Sequence, residues 1–347
     1  MHRAMSMQDE PSSLYICSTL FHVYVATQKV IVSGEGAAIW LDTSIPGYDA
    51  LSQRLRESCV FRSVQVIQRE QALYSDMRHI IPRRVLSRLS VRELDAILGT
   101  AGSVDRVYVF NDTDWFGWYL NDRKIYYHLL EDGMDCFKYF DQNASMMERG
   151  LLKRATIAIF GVTYTMAQSK YCIDVELNDS KDLATHIDKP VIELQKTELR
   201  ERTIRVGAQP LFKVFPIPDA DSLMDGVLIL TLPSDRNGKG EVITEKYLPG
   251  HMSQTEFCKK AIEKFPGHQC FIKPHPRDTT DYRGVLSNEF IIPREIPAEM
   301  FSYVDGLHMY AAVTIISTAL AAIDFVEKKY ALSAELTKSG EFLPLDI

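Results

Sequence analysis

The chain has 347 residues, 46% hydrophobic and 24% charged, which suits two domains that each bury their own core. Its formal charge of -7 excludes a general nucleic-acid binder while leaving room for a local basic pocket. The six cysteines (Cys17, Cys59, Cys136, Cys172, Cys258, Cys270) are dispersed without a Cys-x-x-Cys pair. That argues against a zinc site or disulfide framework and for a reducing cytoplasm.

Residues 1–13 are polar, lack an apolar h-region and read as a disordered leader. No run of about 18 apolar residues follows, so no membrane span is expected. Residues 14–18 read as a buried strand that turns through Thr19-Leu20-Phe21-His22 into an apolar helix, residues 23–33. Strand then helix opens a doubly wound α/β unit. No Gly-x-Gly-x-x-Gly is present, so it is not a dinucleotide fingerprint. His22 is either a polar group on the acceptor side or a helix-start residue making a local bond. Further strands are expected at 37–41 and 64–67, with a helix at 46–58. Residues 82–98 carry Arg83, Arg84, Arg88 and Arg92, a solvated helix face or a weak contact with an anionic membrane surface.

The strand 106–110 runs into Asn111-Asp112-Thr113-Asp114-Trp115, best read as a polar turn and helix cap, with acceptor contacts from Asp114 or Trp115 as the alternative. The next strand, 124–130, ends in Glu131-Asp132-Gly133. Two crowded carboxylates cannot both ionise freely, and one can become a general base. Gly133 permits a tight turn. A helix is expected at 146–159, an irregular polar stretch at 170–188, a strand at 190–194 and a Pro/Gly-rich linker at 206–226.

A second α/β series follows. A strand at 227–231 leads into a loop through Gly240 that only loosely resembles a phosphate loop. A helix at 255–265 precedes the strand 269–273, which ends in Lys273-Pro274-His275-Pro276-Arg277. The prolines stop the strand and stiffen the loop, holding an imidazole between two cations. Strands at 289–292 and 312–316, and helices from 296 and over 319–326, complete the series. Glu299 lies in a first helical turn, suited to the dipole or to a ribose diol. Ser317-Thr318 at a strand end can cap a helix, bind an anion, or both.

Glu131-Asp132-Gly133, then His275-Pro276, then Ser317-Thr318, with Tyr15-Ile16-Cys17-Ser18-Thr19-Leu20-Phe21-His22 and Ile296-Pro297-Ala298-Glu299, resembles the lipooligosaccharide and capsule sialyltransferases of glycosyltransferase family 52. The resemblance implies a GT-B architecture, an α/β fold of two Rossmann-like domains facing a central cleft. The domains expected are 14–205 on the acceptor side and 227–326 on the CMP side, with 327–347 packing back on the first. It implies an inverting, metal-independent enzyme with no cofactor, whose donor is CMP-sialic acid and whose acceptor is a galactoside of a surface glycan. Asp132 would be the general base with Glu131 beside it. His275 would meet the phosphate of the leaving CMP as hydrogen-bond donor or general acid, with Ser317 and Thr318 binding that phosphate and Glu299 the ribose. From charge, Lys273 and Arg277 raise the local positive potential, and Pro276 fixes the loop at the nucleotide. Ser-Thr replaces the Ser-Ser of many relatives, a mild departure that keeps both hydroxyls. The expected setting is cytoplasmic, with peripheral membrane contact and a homodimer left open. The rival readings are a GT-B transferase of another nucleotide-activated sugar and a catalytically silent nucleotide- or glycan-binding protein.

Overall fold

The computed structural model describes residues 11–68, 104–133, 137, 140, 165–182, 187–217, 220–234, 252–315, 320, 323–332 and 343–344. Two compact units divide the chain, residues 1–214 and 215–347. The expected helices at 82–98 and 146–159, and most of the loop ending at Gly240, lie outside the described residues. No described helix is long and apolar enough to cross a membrane.

The first unit is built on β1 (Ser13–Cys17), whose five residues are all buried. A parallel strand covered on both faces needs such a run, since neither side meets water. Thr19 then caps α1 (Leu20–Ser33), accepting the His22 backbone N–H, and Gly34 ends the helix in the left-handed region at φ 67°. The chain continues through β2 (Ala37–Asp42), α2 (Tyr48–Ser58) and β3 (Ser63–Ile67), then β4 (Arg106–Val109), α3 (Trp115–Arg123) and β5 (Tyr127–Leu130). It closes with β6 (Cys172–Leu177), β7 (Val191–Glu193), α4 (Lys196–Val206) and α5 (Gln209–Val214). All seven strands are parallel, in the order β3-β2-β1-β4-β5-β6-β7. The winding direction reverses between β1 and β4, which makes their carboxyl ends the topological switch point of the sheet.

Three stretches differ from the expectation. Residues 11–13, read as the end of a disordered leader, are described, and Ser13 opens β1. The polar stretch at 170–188 contains β6, because Asp174 and Glu176 occupy alternate positions and spend their charge on His128 (2.8 Å) and Lys29 (2.6 Å). The linker expected at 206–226 is largely ordered structure. Its α5 packs on α2, where Arg54 Nε donates to the Val214 carbonyl at 2.7 Å, and the boundary falls at Val214/Phe215.

The second unit comprises β8 (Val227–Leu230), α6 (Gln254–Lys264), β9 (Cys270–Lys273), β10 (Met309–Thr314), β11 (Val326–Ala331) and β12 (Leu343–Pro344). Ser253 and Glu256 form a reciprocal capping box on α6. The order is β12-β11-β10-β8-β9, parallel apart from β12, and the reversal lies between β8 and β10. The strand expected at 289–292 is a 3-10 turn, Asn288–Phe290, followed by one bridge from Ile291 to Ile272. The helix expected from 296 is a 3-10 turn, Ala298–Tyr303. Where a helix was expected to run to Val326, that residue begins β11, and the described part of the tail supplies the last two strands of this sheet. Val-Glu-Lys-Lys-Tyr-Ala has three charged residues in a row and no apolar run, yet it pairs with β10 beside the two-residue β12, which conceals it from a hydrophobicity reading. The α/β class expected from the sequence is borne out as two Rossmann-like units, each wound on its own sheet.

Candidate active site

The carboxyl ends of β1, β4 and β5 bring three polar side chains together in the first unit. Asp132 follows β5 by two residues. Gly133 behind it takes φ 99°, the turn that a side chain would strain. Its Oδ1 accepts the Nε2–H of His22, from the first turn of α1. Its Oδ2 accepts from Asn111 Nδ2 at 3.2 Å, from the loop after β4. Asn111 is itself oriented, since its Oδ1 accepts both the backbone N–H (2.9 Å) and the hydroxyl (2.8 Å) of Thr113. The His22 ring is buried and lies flat on Phe110, 4.2 Å between centroids and 4° from parallel. The Asp132 side chain remains 23% exposed. Asp132 is therefore open to solvent where His22 is not, and its carboxylate is held on both oxygens.

Glu131 does not crowd its neighbour. Adjacent residues of an extended segment point to opposite sides, and its carboxylate turns to the Asn178 N–H (2.7 Å) and Lys196 Nζ (2.6 Å). The pair predicted to perturb each other are separately satisfied, and Glu131 braces the end of β5 to the loop after β6 and to α4. Asp114 is the N-cap of α3, accepting the Phe116 and Gly117 N–H groups at 3.0 and 3.1 Å, as the cap reading expected. Asp112 is wholly buried. Its Oδ2 accepts from the Tyr127 hydroxyl (2.8 Å) and the Ala167 N–H (3.1 Å), and burial pushes its pKa up to about 6.

In the second unit His275 follows β9. Its backbone N–H donates to Thr231 Oγ1 at 3.0 Å, and that hydroxyl donates to Asp278. Asp278, buried, also accepts from the Tyr282 hydroxyl at 2.6 Å and the Thr280 N–H at 3.0 Å. Thr231 comes directly after β8, so this network fastens the histidine loop to the strand beside the second switch point. The His275 Nδ1 accepts the Arg277 N–H at 3.1 Å, which leaves the proton on Nε2. Burial, then the nearby charges of Arg277 and Lys273, push its pKa down to about 4. His275 is consequently a neutral N–H donor at physiological pH.

Lys273 is buried, with its ammonium on the carbonyls of Pro274 (2.6 Å) and Arg294 (3.4 Å). Burial lowers its pKa to about 8, against the pull of Glu299 and Glu295. It shapes the loop and adds positive charge behind it. Pro276 and Glu299 are half-buried and Arg277 is exposed. Ser317 and Thr318 follow β10 and lie outside the described residues. The sequence reading missed Asn111, Thr231 and Asp278. Each is a polar residue at or just after a strand end, or closing the turn that a strand end opens.

The model of glycosyltransferase family 52 matches residues 39–332. A segment of 77 residues is 29% identical to an uncharacterized protein of Haemophilus influenzae, covering 22% of this chain and 25% of that one. The match thus spans a quarter of the length of that curated relative. Among solved structures, Arabidopsis thaliana UGT89C1 complexed with UDP-L-rhamnose aligns over 90% of this chain and 76% of its own, at 11% identity and TM-score 0.47. A UDP-glucosyltransferase from Polygonum tinctorium capable of glucosylating indoxyl aligns over 90% and 77%, at 12% identity and TM-score 0.46. Likenesses this distant carry no argument about substrate.

Proposed function

The chain belongs to glycosyltransferase family 52, and from that premise we propose that it is an inverting, metal-independent sialyltransferase that moves sialic acid from CMP-sialic acid to a galactoside of a surface glycan. The observation that carries the reading is Asp132, a part-exposed carboxylate held by two donors at the switch point of its sheet. In an α/β fold ligands gather there. A carboxylate with both oxygens oriented and one side open can take a proton without first reorganising.

In the proposed reaction the acceptor hydroxyl gives its proton to Asp132 as its oxygen attacks the anomeric carbon. The bond from that carbon to the CMP phosphate oxygen breaks, and the electron pair leaves with CMP. His275 supports the leaving phosphate by a hydrogen bond from Nε2–H and keeps its proton. An imidazolium would need the Nδ1 lone pair that already accepts the Arg277 N–H, and the surrounding charge opposes it. Thr231, Asp278 and Lys273 keep that donor in place, while Ser317 and Thr318 bind the phosphate and Glu299 the ribose. Carrying the charge of a nucleoside monophosphate on hydroxyls and a neutral donor requires no divalent cation. We propose a cytoplasmic setting, which the dispersed cysteines without a Cys-x-x-Cys pair support.

The test is release of CMP from CMP-sialic acid across a panel of galactosides. Asp132→Ala and His275→Ala should each lower kcat about 10²-fold or more, and EDTA should leave the wild-type rate unchanged. Full activity in both variants would remove the site assignment, and turnover of UDP-sugars in place of CMP-sialic acid would replace the donor.

A further inference from the structure

The polar cluster of the first unit contains two groups able to accept a proton, and its hydrogen bonds distinguish them. The two His22 ring nitrogens are both engaged. Nδ1 accepts the Ser18 N–H at 3.1 Å, so the ring proton sits on Nε2 and points at Asp132 Oδ1. No lone pair of the imidazole is left for a substrate, and the ring is 1% exposed against 23% for the carboxylate. The flat stack on Phe110 and the Thr19 cap beneath the same residue fix the ring's plane and height. Asn111 fixes the other oxygen, with its own amide orientation set by Thr113.

We propose that His22 is the positioning residue of the transfer reaction: as a neutral Nε2–H donor it aims the Asp132 carboxylate and, with Asn111, leaves its free lone pairs directed outward to the acceptor hydroxyl. The inference rests on the reading of Asp132 as the base. The two donors stabilise the charged carboxylate before transfer. His22 neither loses nor gains a proton during the step, and the proton taken from the acceptor stays on Asp132 until solvent removes it. A displacement of the base by about 1 Å can cost about 10²-fold in rate, so the effect belongs in kcat, with donor KM unchanged.

Three variants test it. His22→Phe keeps the ring's volume and its stack on Phe110 but deletes the donor, and should lower kcat 10- to 100-fold with the KM for CMP-sialic acid unaltered. His22→Gln places an amide N–H near the Nε2 position and should recover most of that loss. Asp132→Asn should abolish the sensitivity, so that adding His22→Phe to it lowers the rate no further. An unchanged kcat in folded His22→Phe, equal losses in Phe and Gln variants, or additive losses in the double variant would each overturn the positioning role. Full activity of Asp132→Asn would instead overturn the base assignment beneath it. Wild-type protein gives an independent readout that needs no variant. The 15N signals of the His22 ring should show a protonated Nε2 and an accepting Nδ1 at the pH of the activity assay, and the opposite tautomer or an imidazolium there would sink the proposal.

Discussion

Asp112 shows at the scale of one residue how the same side chain can be a cap candidate in sequence and a buried strut in the fold. It joins the Tyr127 hydroxyl of β5 to the Ala167 backbone, and its Oδ1 is buried with no hydrogen-bond partner among the described residues. Burial raises its pKa to about 6, so the folded chain holds this proton more tightly than the unfolded one. The resulting stabilisation is fully present below the unfolded value near 3.8 and is lost as pH rises through about 6. Asp112→Asn mimics the neutral form and should remove that loss. Relative to wild type, its denaturant stability should improve by about 2–3 kcal/mol between pH 4 and pH 7. Parallel curves for the two proteins over that range would show that Asp112 does not titrate there. Lys273 teaches a related lesson. Its charge placed it beside a phosphate in the sequence reading, whereas its four-carbon stem carries the ammonium onto backbone carbonyls behind the loop.

At the scale of elements, the site depends on how closely α3 approaches the loop before it. A Cβ on Gly117 would lie 2.1 Å from the Asp112 carbonyl oxygen, a contact with backbone that no rotamer relieves. Gly117 also gives its N–H to the Asp114 cap. Gly117→Ala should therefore push the 111–114 turn away from α3. We expect a fall of about 2 kcal/mol or more in stability together with weaker transfer, since Asn111 leaves Asp132 when the turn moves. A helix that merely gains stability from alanine, with the rate intact, would show that the close approach does not matter. The elements themselves were readable where their chemistry is uniform. The strands β1, β2, β8 and β9 each carry an unbroken run of three to five apolar residues, and the capping box of Ser253 and Glu256 fixes where α6 starts. The strand β6 was not readable, because its acids are neutral to the sheet only once His128 and Lys29 face them.

For the molecule as a whole, the cysteines give a check on the packing of both sheets at once. Cys17 and Cys172 sit in the first sheet, Cys270 in the second and Cys258 on α6; all four are buried and their thiol pKa values are raised by that burial. Cys59, after α2, is exposed. A thiol is reactive as the thiolate, so in the native protein Cys59 should be alkylated rapidly at pH 8 while these four react only after denaturation. Mass spectrometry of labelled peptides reads each site, and fast labelling of Cys258 or Cys270 would mean that the second unit is looser than its buried strands require.

The sequence by itself determined the class of fold and the two α/β series, and it marked out candidate residues at strand ends. Buried parallel strands must be apolar, and strand ends in such folds are where polar residues collect, so Asp132 and His275 stand out in one dimension. Only the tertiary structure decided what those residues face. Asp132 is separated from His22 by 110 residues and from Asn111 by 21, and no local pattern encodes a contact made when β1, β4 and β5 line up. The same holds for the tie from Thr231 to His275 across β8 and β9. Which nitrogen of each histidine carries its proton follows from a neighbouring backbone N–H whose direction only the folded turn fixes. The candidate residue types are thus set by composition at strand ends, and their contacts by the geometry that the sheets impose.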